Sequence, residues 1–197
     1  MANTNVKTTG LLPPIAPKAF GGAIGMDLSH LSDKLNSDYY SVIEKLCVGA
    51  GNNLSLLQQL EVQPSAASYI ERCNALIDEI KNFINARKGY YSPYLYELHR
   101  KEDASHDCSS CSGNCHAGHN IKLAEIKESI ARIKDLPNRL QMMSLPLHSE
   151  TLYPDVYRAL RNHLALLQDM LTELLFVEET YLIPKVAEAQ KNINARS

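Results

Sequence analysis

The chain carries almost no net charge, −2 at neutral pH over 197 residues with both signs interspersed, so it lacks the basic excess that a phosphate backbone demands. Nucleic acid is therefore not an expected partner. No apolar run approaches the roughly 18 residues of a membrane span, and no membrane partner is expected either. The opening MANTNVKTTG has neither the positive start nor the apolar centre of a secretion signal, which makes the cytoplasm the expected location. Period-two alternation is missing, which argues against strands. Glycine-rich phosphate loops and nucleophile elbows are absent, and GGAIG (21–25) has neither a preceding strand nor the spacing such a loop needs. Nothing among these motifs identifies a reaction.

What the sequence does have is helical periodicity. Residues 1–26, with Pro13, Pro14, Pro17 and several glycines, read as an N-terminal arm, and residues 27–197 read as one helical domain. From about Asp27 the pattern turns helical. The two glycines of VGAGNN (48–53) either end that first helix or are tolerated inside it. A stripe of Tyr69, Ile70, Cys73, Leu76, Ile77, Ile80 and Ile84 marks a core-facing helix that Pro64 and Ser65 are suited to start. Leu123, Ile126, Ile130 and Ile133 step by three and four until Pro137, which must kink or end the helix, and Pro146 marks the next turn. The last helix, from about Pro154 to Asn192, aligns Val156, Leu160, Leu164, Leu167, Leu171 and Leu174. Four long helices with short connections imply an all-α fold, an antiparallel up-and-down four-helix bundle.

Between the second and third helices lies HDCSSCSGNCHAGH (106–119), three cysteines and three histidines in fourteen residues. In a reducing compartment such clustering points to metal ligands or redox thiols before structural disulfides. Cys108 and Cys111 have the spacing with which a tight turn offers two thiolates to one ion, and Cys115, His116 and His119 follow closely. Cys108, Cys111, Cys115 and His119 would complete a tetrahedral site, with His116 and His106 as substitutes or outer partners. The expected cofactor is a metal ion, zinc or iron. An iron–sulfur cluster would prefer a fourth thiolate. The other two cysteines, Cys47 and Cys73, sit in helical stretches as buried structural thiols. A redox-active Cys108/Cys111 pair and a polar loop with incidental thiols are the alternatives. The remaining histidines, His30, His99, His148 and His163, read as boundary or surface residues, and Tyr90, Tyr91, Tyr94 and Tyr96 as an aromatic layer at a bundle end.

Two segments echo each other. FINARKGYYSPYLYEL (83–98) and LLFVEETYLIPKVAEA (174–189) share an aromatic residue three before a proline, Pro93 or Pro184, and an apolar residue two after it. YPDVYRALRNHLALLQDMLTELLFVEETYLIPKV (153–186), with its spaced leucines, Asp169, Glu178 and Pro184, resembles the last helix of hemerythrin-like proteins. The resemblance is nearest to the di-iron branch that repairs iron centres damaged by nitric oxide. That branch carries His-x3-Glu, then Leu-Phe-Pro, on its second and fourth helices. The resemblance implies a hemerythrin-like bundle, a metal and a role in nitrosative or oxidative stress, metal delivery or sensing. The ligand positions fall here on Phe83, Arg87, Leu174 and Glu178, of which only Glu178 can bind iron, and His119 falls where the family has another ligand. Glu178 is in phase with Leu160 and Leu171, and Arg87 with Ile80 and Ile84, so both point inward. A buried charge needs a partner, which makes Arg87 and Glu178 candidates for an ion pair; otherwise Arg87 reaches to the bundle end and Glu178 bonds a tyrosine or water. Two functions compete: a metal-binding bundle whose Cys/His loop has replaced the interior site, and a non-enzymatic interaction or thiol-switch protein that docks a protein partner.

Overall fold

In the computed structural model the described residues are 25–60, 64–103, 115–143 and 153–195, with side chains described for all of these but 64, 65 and 115–121. Asp27 opens the first rod by accepting the His30 backbone N–H at 2.9 Å, the usual way a short carboxylate satisfies an orphan donor of a helix start. That rod consists of α1 (Leu28–Leu35), a π-helical turn (Asn36–Tyr40) and α2 (Ser41–Leu60). The second has α3 (Pro64–Ala86), a π-helical turn (Arg87–Tyr91) and α4 (Ser92–Asp103). The third is α5 (Cys115–Ile133) followed by α6 (Leu136–Met143), and the fourth is α7 (Pro154–Val177), a π-helical turn (Glu178–Leu182) and α8 (Ile183–Ala195). No strand occurs among the described residues, and the four helical rods form a bundle.

The apolar stripes face one continuous core. Ile77, Ile80, Ile84, Ile126, Leu160, Leu164, Leu167, Leu171 and Leu174 are all buried, and Leu123 and Val156 pack against them at the edge. Pro137 acts as expected: α5 stops at Ile133, and the proline is the second residue of α6, where no helical donor is missed. α1 packs on α4, α2 on α3 and α7, α6 on α7, and both α4 and α5 on α8.

The three π-helical turns carry i→i+5 bonds, from Ser41 N–H to the Asn36 carbonyl, Ser92 N–H to Arg87 and Ile183 N–H to Glu178. Each inserts one residue and rotates the stripe by about 100°. The internal echo in the sequence is thus an echo in structure. Arg87 and Glu178 each open a π-helical turn and stand six residues before Pro93 and Pro184, whose missing N–H a widened turn tolerates.

Gly49 and Gly51 are tolerated inside α2, and Gly49 has a specific reason to be there. A Cβ on it would stand 2.3 Å from His163 Nε2 and 2.6 Å from Cδ2. The imidazole is tied to α7 by donating from Nδ1 to the Ala159 carbonyl at 2.8 Å, so it does not withdraw freely. Gly49→Ala is therefore expected to cost about 1–2 kcal/mol in the native background. In a His163→Ala background it should instead stabilise by about 0.5–1 kcal/mol, the ordinary gain of removing a mid-helix glycine. Urea unfolding midpoints of the four proteins check the change of sign.

Candidate functional site

The two buried charged groups of the core meet where side chains of the three π-helical turns come together. Arg87 is 1% exposed and Glu178 0%, and each lies on a stripe that otherwise carries only apolar side chains. They face each other. Arg87 Nε donates to Glu178 Oε1 at 2.9 Å and lies 3.2 Å from Oε2, and Nη2 donates to Oε2 at 2.8 Å, a forked pairing that a guanidinium makes and an ammonium cannot. The remaining terminal nitrogen, Nη1, donates to Ser129 Oγ at 2.8 Å, and that hydroxyl in turn donates to the Ile126 carbonyl, also at 2.8 Å. Tyr40 completes the set by donating its phenol to Glu178 Oε1 at 3.0 Å. The Phe83 and Tyr91 rings bracket the guanidinium, 4.4 and 4.7 Å from its carbon.

Tyr40, Arg87, Ser129 and Glu178 come one from each rod, so this knot ties the whole bundle at one level. Its electrostatics are self-consistent. Burial pulls the Arg87 guanidinium down, but the charge and hydrogen bonds of Glu178 outweigh it and hold the group above its ordinary value. Burial, reinforced by the adjacent Glu178 charge, pushes the Tyr40 phenol far above its usual range, so it remains a donor. Both sequence alternatives for Glu178 are realised together, since it takes the arginine and a tyrosine. Tyr40 and Ser129 were missed in the sequence. A tyrosine directly beside another on a core stripe, and a serine three after Ile126 amid isoleucines, were the available signals, because a buried hydroxyl needs a partner.

The interior does not fit a metal. Leu174 is fully buried, Phe83 nearly so, and the third position is a guanidinium whose charge would repel a cation. Glu178 is spent on Arg87 and Tyr40. Among the described residues no group of three histidine, cysteine or acidic side chains is arranged to hold an ion.

Of the Cys/His segment, His106, Cys108 and Cys111 lie outside the described residues. Cys115, His116 and His119 fall within the first five positions of α5, with Cys115 and His119 one helical turn apart along the backbone. Cys47 and Cys73 are buried free thiols, as expected, and burial pushes them up to about 12 and about 11. Neither should be alkylated by iodoacetamide in native protein at pH 8, and mass spectrometry of the intact chain checks this. Because unfolded thiols ionise near 9.0 and these two stay neutral when folded, stability should fall as pH rises from about 9 toward 11–12. A Cys47→Ala, Cys73→Ala variant should lack that part of the slope.

The four tyrosines around Pro93 do not form a layer closing the bundle end. Tyr91 and Tyr94 are buried, with Tyr94 accepting from Gln190 Nε2 at 2.9 Å, while Tyr90 and Tyr96 face outward. Lys122 sits over the Tyr90 ring at 3.8 Å. No helix among the described residues is long and apolar enough to cross a membrane. No protein-family model matches the chain, and no match is found among curated proteins or solved structures.

Proposed function

We propose that this chain is a diverged hemerythrin-like bundle, antiparallel and up-and-down, that binds zinc or iron through its Cys/His segment and serves in metal sensing or delivery or in the response to nitrosative or oxidative stress. The observation that carries this reading is the Arg87–Glu178 pair. It fills the level of the interior where the resemblance puts a di-iron centre, and it leaves the thiolates and imidazoles of 106–119 as the chain's concentrated set of soft ligands. The antiparallel arrangement is supported by which halves meet: the start of the first rod lies on the end of the second, and the end of the first on the start of the fourth. Cys108, Cys111, Cys115 and His119 form the favoured donor set, with His116 and His106 as exchangeable partners. Thiolate-rich coordination suits zinc and iron alike.

Elemental analysis and an absorption spectrum of anaerobically purified protein test the reading. Colour with iron supports a redox or repair role, and colourless protein with zinc supports a structural or sensing one, since a closed four-ligand site offers a substrate no position. Colourless, metal-free protein that forms a Cys108–Cys111 disulfide under mild oxidant would replace the proposal with a thiol switch.

A further inference from the structure

A second feature accompanies the first two π-helical turns, on the outside of the bundle. A pocket of about 340 Å³ lies between the first and second rods, lined by Ser32, Asn36, Lys88, Ser92, Pro93 and Tyr96. Asn36 opens the first π-helical turn and Lys88 is the second residue of the next, adjacent to Arg87 of the knot. Widened helical turns recur at ligand sites, and this volume is at the small end of small-molecule pockets.

The lining has a definite chemical bias. Its polar groups are three hydroxyls, a carboxamide and an ammonium, all able to donate, and no carboxylate is among them. The Ser32 hydroxyl is the telling one: its residue is 1% exposed, and beyond the neighbouring Tyr96 phenol it has no hydrogen-bond partner. A buried hydroxyl with so little to bond is uncommon and suits an acceptor that a ligand would bring. The Tyr96 phenol is already committed to Asp33, so tyrosine and proline contribute chiefly ring carbon. Lys88 is held by Glu44 at 2.7 Å, but both side chains are about a third exposed, at 35% and 36%. A partly exposed ion pair of this kind contributes on the order of fivefold to an equilibrium constant, so an incoming anion can exchange with Glu44.

We infer that this pocket binds a small organic carboxylate, its oxygens taken by Lys88, Ser32, Asn36 and Ser92 and its apolar body lying against Pro93 and Tyr96. The site is independent of the Cys/His segment. The test is an amide chemical-shift titration of the full chain with sodium benzoate, with benzamide as the neutral match and sodium nitrate as the inorganic anion. Benzoate should give saturable shifts centred on Ser32, Asn36, Lys88 and Ser92, weakened about tenfold or more by Lys88→Met, as expected for loss of a charged hydrogen bond. Glu44→Gln should tighten binding about two- to fivefold by removing the competing carboxylate. Absence of saturable shifts, equal binding of benzamide, equal binding of nitrate, or no response to Glu44→Gln would each overturn the assignment.

Discussion

Replacing Arg87 by methionine is expected to remove about 3–5 kcal/mol of folding stability, while replacing Arg87 by methionine and Glu178 by leucine together should cost about 1–2 kcal/mol. The single change leaves a carboxylate in a fully buried site with only the Tyr40 phenol to offset its charge. Glu178→Leu should be as damaging, because it strands a guanidinium that two aromatic rings keep from water. The double variant removes both charges, and methionine and leucine restore most of the lost volume. What remains is the loss of partners for two hydroxyls, Tyr40 and Ser129, the second of which keeps its bond to the Ile126 carbonyl. Guanidinium unfolding of the four proteins gives the coupling directly. Single and double effects that simply add would mean that the two groups do not act as a pair.

Converting Cys108 and Cys111 to serine is expected to reduce bound metal from about one ion per chain to background, with the helical signal in circular dichroism unchanged. The second half follows from the fold: the four-rod knot and the core of Leu, Ile and Tyr residues are built from the described helices. Glu178→Gln should do the opposite, weakening the bundle and leaving the metal in place. Loss of metal from the Glu178 variant with retention in the cysteine variant would relocate the site to the interior. Metal content after gel filtration, beside thermal unfolding, separates the two patterns.

The bundle was legible because its stripes are long and apolar. Tyr69 to Ile84 and Leu160 to Leu174 hold helical phase for several turns, and burial follows that phase residue by residue. The Arg87–Glu178 pair was legible for the same reason, as two charges in phase with leucines and isoleucines. The π-helical turns were not. One inserted residue moves the stripe by about 100°, and in a sequence this resembles an ordinary widening of the apolar face, as at Tyr39 and Tyr40, both of which are buried. Prolines hinted at two of the three turns, whereas the first, Asn36–Tyr40, has none nearby. Gly49 stayed ambiguous because the ring it admits comes from His163, more than a hundred positions away. The reading of Cys108, Cys111 and their neighbours as ligands is a proposal from their spacing, since a local site would depend on the chain around it and not on the bundle.

The most direct measurement is X-ray absorption at the edge of whichever metal copurifies. Two or three sulfur scatterers at about 2.3 Å with a nitrogen shell near 2.0–2.1 Å are expected, the signature of thiolates and imidazole around one ion. An all-oxygen-and-nitrogen shell with a second metal close by would contradict it, because such a centre would have to be built where Arg87 and Glu178 now hold each other.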